Sequence, residues 1–196
     1  MKPLSPQIVL VRHGETSWSR SGQHTGRTDI PLLEDGRRMG RALEAPLREW
    51  SFAAVWTSPL SRASETCALS GHGVIAKPNP DLMEWDYGDY EGKTSKEIRA
   101  EAPDWKLWKD GVPGGETLEQ IGARADRVIQ EVRAVKGNVL VFSHGHMLRV
   151  LAARWLGLPP SEGRLFALGT ASISVLGWDG DQPIVVRWNN TTHLGV

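Results

Sequence analysis

The run Ile8-Val9-Leu10-Val11, followed at once by Arg12-His13-Gly14, limits what this chain can become more than any other stretch. Four consecutive apolar, mostly β-branched residues read as a strand buried on both faces, the mark of a parallel sheet covered by helices. The run ends on a cation, an imidazole and a glycine, which puts polar chemistry at a strand's carboxyl end, where open α/β sheets hold their ligands. The pattern returns as Val139-Leu140-Val141-Phe142 followed by Ser143-His144-Gly145-His146. Two such strands, parallel and adjacent, would bring two imidazoles to one crevice. Arg12 cannot shed its proton and is costly to bury without an anionic partner. An arginine and two histidines around glycine turns describe a pocket for an anion.

Between and after these runs, strand and helix patterns alternate. Residues 14 to 33 carry Gly, Ser, Thr and charge without periodicity, so they read as a long loop over the strand ends. Asp35 is placed as the cap of a helix through Met39, Ala42 and Leu43, which Pro46 should kink or end. Residues 52 to 56 read as a strand, and Thr57-Ser58-Pro59 as a turn into a helix with Arg62 on its first turn, a setting that favours phosphate. Val74 and Ile75 read as a short strand. Residues 94 to 100 suit a short helix, and residues 103 to 115 an irregular excursion bearing tryptophans.

The longest periodic segment, residues 116 to 135, lines Leu118, Ile121, Ala125, Val128 and Val132 along one helical face. After the 139 to 142 strand, a helix turns Leu148, Leu151, Ala152 and Trp155 inward. Residues 171 to 178 and 184 to 188 form two strands around the turn Asp179-Gly180-Asp181. These alternations predict an α/β fold, a three-layer α/β/α sandwich with a mainly parallel central sheet, formed as a single domain over residues 1 to 196.

Composition narrows the class of partner. Lys plus Arg and Asp plus Glu both number 23, so no overall charge draws the chain to nucleic acid or to a membrane. No apolar run approaches the roughly 18 residues of a membrane-spanning helix. Cys67 is the only cysteine, which excludes an internal disulfide framework, and the first residues lack the build of a signal peptide. A cytoplasmic location is expected. The nine tryptophans are scattered, as core and pocket walls would be. A homo-oligomer is compatible with all of this.

Five stretches then occur in a telling order: Arg12-His13-Gly14-Glu15-Thr16, Thr25-Gly26-Arg27-Thr28-Asp29-Ile30-Pro31-Leu32, Thr57-Ser58-Pro59-Leu60-Ser61-Arg62-Ala63, Glu84-Trp85-Asp86-Tyr87-Gly88-Asp89-Tyr90-Glu91-Gly92, and Ser143-His144-Gly145-His146. In this order they resemble the motifs of the histidine phosphatase superfamily, also called the phosphoglycerate-mutase-like family, over most of the chain. The resemblance implies a phosphoglycerate-mutase-like fold and a phosphohistidine on His13 that water hydrolyses, with no metal or other cofactor. It implies that Glu84 is the acid, that Arg12, Arg62 and His144 hold the phosphoryl oxygens, and that Thr25 and Gly26 reach the substrate by hydroxyl and backbone N–H. Tyr87 and Gly145 are further expected substrate contacts. Ser19 stands where many relatives carry an Asn that touches phosphate; its hydroxyl would keep a shorter or water-bridged contact.

The residue types suit that chemistry on their own terms. A neutral imidazole is nucleophilic near pH 7 without a separate base. Charge in phosphoryl transfer rests on three equatorial oxygens, which guanidinium forks match. The leaving alcohol needs a proton, which points to a carboxylic acid held neutral by an apolar or crowded site. On spacing alone Asp86, Asp89 and Glu91 rival Glu84. The same carboxylate, once deprotonated, can take a proton from the attacking water. Glu15 reads as support.

The stretch from Glu91 to His144 is shorter than in the mutases, and the acid motif looks more like the phosphatase branch, with its acid-phosphatase and sugar-bisphosphatase members. A phosphomonoester hydrolase acting on a small phosphorylated metabolite is therefore expected; the alternative is mutase-type transfer. Two remote alternatives are a metal hydrolase built on His13, His144 and His146, disfavoured because Arg12 would repel a cation, and a silent binding module, disfavoured because nucleophile and acid are both present. Recognition of the leaving group falls to the 14 to 33 loop, to residues 85 to 115 with Tyr87, Trp105 and Trp108 as walls, and to the chain end near His193.

Overall fold

A computed structural model describes residues 6–195. In order they form β1 (Ile8–Arg12), α1 (Ser17–Ser21), α2 (Glu34–Ala42), α3 (Glu44–Arg48), β2 (Phe52–Thr57), α4 (Ser61–Leu69), β3 (Lys77–Pro78), α5 (Ser95–Glu101), α6 (Leu107–Asp110), α7 (Leu118–Ala134), β4 (Asn138–Ser143), α8 (Gly145–Trp155), β5 (Ile173–Asp179) and β6 (Gln182–Asn190). The strands make one sheet in the order β3-β2-β4-β1-β5-β6. Strands β1 to β4 pair in parallel, β5 is antiparallel to β1, and β6 is antiparallel to β5, so only β5 opposes the rest.

The contiguous apolar runs behave as their pattern predicts. Side chains alternate across a strand, so Ile8 and Leu10 of β1, with Val139 and Val141 of β4, enter one core with Ile121, Val128, Leu148 and Leu151 of α7 and α8. Val9, Val11, Leu140 and Phe142 enter the other with Leu43, Leu47 and Cys67 from the α2 to α4 side. Each buried Val, Leu or Ile side chain contributes about 1.5–3 kcal/mol relative to exposure, and both faces draw on it. The result is the expected layering of helices on both faces of a mainly parallel sheet. Among the described residues no helix is long and apolar enough to cross a membrane.

Four local expectations are corrected. The 14 to 33 stretch holds the five-residue α1, nucleated by a reciprocal cap between Thr16 and Ser19. Helix α2 begins at Glu34 with Leu33 as its N-cap; Asp35 lies in the first turn and pairs with Arg20 and Arg38 rather than capping. Pro46 does not end that helix, which stops at Ala42; it sits early in α3, where its missing N–H has no intrahelical partner to lose. Val74 and Ile75 form no strand: Ile75 N–H bonds back to His72 and Ala76 N–H to Gly73, closing turns that leave Val74 fully exposed, and the strand lies at β3 instead.

Candidate active site

Register sets the site. Arg12 of β1 lies opposite Ser143 of β4, and the His13 N–H donates to the Ser143 carbonyl at 3.0 Å, extending the ladder by one residue. His13 and His144 therefore leave neighbouring parallel strands at the same level, with ring centroids 5.2 Å apart. Gly14 allows the turn that follows: a Cβ there would meet the Gly36 carbonyl oxygen at 2.4 Å.

The protons on His13 are set by its partner. Its Nδ1 lies 2.7 Å from the Gly14 carbonyl oxygen, which can only accept, so Nδ1 carries the hydrogen and Nε2 keeps the lone pair. Burial, then the charges of Arg12 and Arg62, hold the imidazole well below its ordinary pKa, so it is neutral near pH 7. His13 lines a cavity of about 190 Å³ with Arg12, Ser19, Thr25, Glu84, Tyr87, Gly145, His146 and Arg149. Arg12 donates from Nη1 to the Leu168 carbonyl, while its buried Nε has no partner among the described residues.

Glu84 reaches the same cavity from the segment after β3. Its Oε1 accepts from the Trp85 and Met147 N–H groups, both at 2.9 Å, and its Oε2 from the His146 N–H at 3.0 Å. The carboxylate thus caps the N-terminus of α8, where His144 makes no side-chain cap of its own. Of the apolar or crowded setting expected for the acid, Glu84 has the crowding, and three N–H donors hold its carboxyl oxygens. The rivals fall away. Glu91 is buttressing, Asp86 accepts from the Gly88 N–H, and neither these nor Asp89 lines the cavity.

Arg62 and His144 stand fully buried beside His13 without lining the cavity. Arg62 donates from Nε to His144 Nδ1 at 3.1 Å, from Nη1 to the Thr28 carbonyl and from Nη2 to the carbonyls of Thr25 and Gly26. Glu91 takes the N–H groups of Gly26, Arg27 and Thr28. One loop is therefore held from both sides, its carbonyls by a guanidinium and its N–H groups by a carboxylate.

That clamp changes what one expected substrate contact can do, and the α1 cap changes another. The Gly26 N–H is taken by Glu91 at 2.7 Å and Gly26 does not line the cavity; its lack of a side chain matters because a Cβ would lie 2.5 Å from the Trp85 carbonyl oxygen. Ser19 does line the cavity, but its hydroxyl hydrogen goes to the Thr16 carbonyl within the α1 cap. Thr25, Tyr87 and Gly145 line the cavity. His193 lies elsewhere, against the Ala171 carbonyl.

Sequence reasoning missed a hydrogen-bond chain along one wall. Arg149 Nη1 lies 3.3 Å from His146 Nε2, and a guanidinium can only donate, so Nε2 accepts. In the neutral ring, which burial favours first and the Arg149 charge second, the hydrogen then sits on Nδ1, 2.6 Å from the Tyr87 hydroxyl oxygen. Tyr87 therefore receives, and its own hydrogen is left for the cavity. Burial, then Glu84, keeps this phenol well above its ordinary pKa, so it stays protonated. The signal was present in the spacing: His146 and Arg149 are one turn apart on α8. A second omission is Arg124 of α7, which pairs with Glu116 at 2.7 Å and donates to the carbonyls of Asp81, Met83 and Glu84, fixing the approach to Glu84.

Among the described residues no three His, Cys, Asp or Glu side chains converge as a metal cluster would.

Comparison with known proteins places this geometry. The family model described as "Histidine phosphatase superfamily (branch 1)" matches residues 8–191. An acid phosphatase of Mycobacterium tuberculosis is 39% identical over 177 residues, covering 88% of this chain and 87% of the relative. A sedoheptulose 1,7-bisphosphatase of Saccharomyces cerevisiae is 37% identical over 196 residues, covering 81% of this chain and 70% of the relative. The solved structure of an open reading frame product from Mycobacterium tuberculosis superposes with a TM-score of 0.90 at 37% identity, covering 95% of this chain and 98% of that one.

Proposed function

The chain belongs to branch 1 of the histidine phosphatase superfamily, and from that membership we propose that it is a phosphomonoester hydrolase acting on small phosphorylated metabolites through His13. One observation carries the reading: a neutral imidazole whose Nδ1–H is tied to the Gly14 carbonyl keeps its Nε2, without a partner among the described residues, in a cavity shared with Arg12 and Glu84.

In the first step Nε2 of His13 attacks phosphorus, and the bond from phosphorus to the ester oxygen breaks with its electron pair going to that oxygen. Glu84, protonated when the ester binds, supplies the proton the departing alkoxide needs and is left as the carboxylate that the three N–H groups hold. In the second step water attacks the phosphohistidine, Glu84 takes the water proton, the N–P bond breaks, and His13 returns neutral with phosphate released. One carboxyl group carries the proton between the two steps.

Arg12 lines the cavity beside His13, and its Nε, without a partner among the described residues, is a donor for phosphoryl oxygens. The Nε–H of Arg62 and the Nε2–H of His144 now serve neutral acceptors, His144 and Ser58. A phosphoryl oxygen accepts more strongly than either, so both donors can turn to substrate without leaving the site. The free Tyr87 hydrogen is a further donor to the ester. Relatives described as phosphatases support hydrolysis over mutase transfer.

The test is incubation with phosphate esters of simple alcohols and, separately, with 3-phosphoglycerate. Release of inorganic phosphate, with an acid-labile label trapped on His13 by rapid quench, is the expected result. Isomerisation of 3-phosphoglycerate without phosphate release would overturn the reading.

A further inference from the structure

We propose that the leaving group of the physiological ester carries a second anionic group, which is received in a separate basic and aromatic cavity beside the catalytic one. The inference rests on the phosphatase reading above and specifies its substrate class.

Size favours a second compartment. The catalytic cavity of about 190 Å³ falls below the roughly 300–1,000 Å³ of sites that enclose a whole organic ligand. A neighbouring cavity of about 690 Å³ falls in the range of sites that hold small organic ligands. His24 and His146 line both cavities, and their ring centroids are 6.4 Å apart, so these two rings form the partition between them. Tyr87 braces both, against His24 at 4.8 Å between centroids and by its hydrogen bond to His146. A substrate phosphorylated at one end and longer than the first cavity must pass this partition.

The chemistry of the second cavity is one-signed. Arg99, Lys106, Lys109 and Arg164 line it, and no carboxylate does. Arg164 pairs with Glu162, whereas Arg99, Lys106 and Lys109 make no ion pair among the described residues. Trp105, Leu107 and Trp108 give the apolar part of the wall, with Ser95 and Ser161 beside them. Unopposed cations gathered on a concave surface with low-dielectric walls concentrate an anion. The Trp side chains in the wall suit the carbon skeleton between two charged ends. A carboxylate or a second phosphate ester on the alcohol satisfies both features.

A matched pair of substrates tests this: hexyl phosphate, with one anionic end, and 1,6-hexanediol bisphosphate, with two. The intact enzyme should release phosphate from both and favour the bisphosphate in kcat/KM by about fivefold to tenfold, as two solvent-exposed ion pairs would give. The doubly neutralised variant Lys106→Ala with Lys109→Ala should lose most of that preference while hydrolysing hexyl phosphate as before. Lys106→Glu should lower the bisphosphate rate further and raise KM rather than reduce kcat. Turnover of both esters with no preference beyond the twofold statistical factor, or a preference indifferent to all three changes, would overturn the second-anion inference and leave the phosphatase reading standing. Turnover of neither ester would overturn both.

Discussion

Nε of Arg62 lies 3.1 Å from Nδ1 of His144, and since a guanidinium only donates, that imidazole nitrogen carries no hydrogen. The ring hydrogen sits on Nε2, directed at the Ser58 hydroxyl 2.7 Å away. A buried cation thus enforces a neutral histidine beside a second one, and the site is built to keep its imidazoles uncharged.

Stability should therefore fall on acidification from neutral pH. His13, His144 and His146 are all held well below the ordinary value, by burial first and then by Arg12, Arg62 and Arg149 respectively. Above about pH 6.5 neither the unfolded nor the folded state binds these protons. Below it the unfolded chain binds them and the folded one does not, so each histidine removes about 1.4 kcal/mol per pH unit until its own folded value is reached. Urea unfolding at pH 7.5 and pH 5.5 should show the loss, and His146→Gln should make it shallower. Equal stability at both values would contradict the prediction.

His13→Asn should abolish turnover, by at least about a thousandfold, because nucleophile and cation field act as a unit. Phosphate-analogue binding should persist through Arg12. Mass spectrometry after rapid quench should find no phosphorylated histidine in the variant; a label surviving the substitution would move the nucleophile elsewhere.

Glu84→Gln separates leaving groups. Alkyl phosphates need a proton and should slow by about 10²–10⁴ in kcat, whereas 4-nitrophenyl phosphate, whose phenolate leaves unaided, should lose far less in its first step and accumulate phosphoenzyme. The amide also presents an NH₂ to the His146 or Met147 N–H, so a loss of about 1–3 kcal/mol in unfolding free energy should accompany it.

Arg124→Met should destabilise by about 3–5 kcal/mol, because Glu116 and three carbonyls lose the cation that pairs them while buried. Because one of those carbonyls belongs to Glu84, kcat should fall with little change in KM. Chemical denaturation and steady-state kinetics read the two effects separately.

Cys67 should be inert in the native enzyme. It is buried in the α2 to α4 core, and burial pushes its thiol up to about 12, so almost no thiolate exists at neutral pH. A chromogenic disulfide reagent should react only after denaturation.

Part of this molecule could be read directly from the order of residues. Strands buried on both faces are written as unbroken apolar runs, so β1 and β4 and the two histidines at their ends were visible, as was the amphipathic face of α7. The failures share a cause. Val74 and Ile75 have strand-forming side chains but lie in turns closed by the Ile75 and Ala76 N–H groups, and Ser19 and Gly26 have groups suited to phosphate whose hydrogens other partners took.

Local patterning alone settled which segments would be buried, where the chain would turn polar, and that two imidazoles would stand at parallel strand ends. Tertiary structure alone decided protonation and partnership: Gly14 sets the tautomer of His13 from next door, but Arg62 reaches residues 34 to 37 positions away and Glu84 caps a helix 62 positions on. The physical reason is range. Burial and periodicity are properties of neighbours in sequence, whereas a hydrogen bond's direction depends on which donor or acceptor the packed fold brings within about 3 Å.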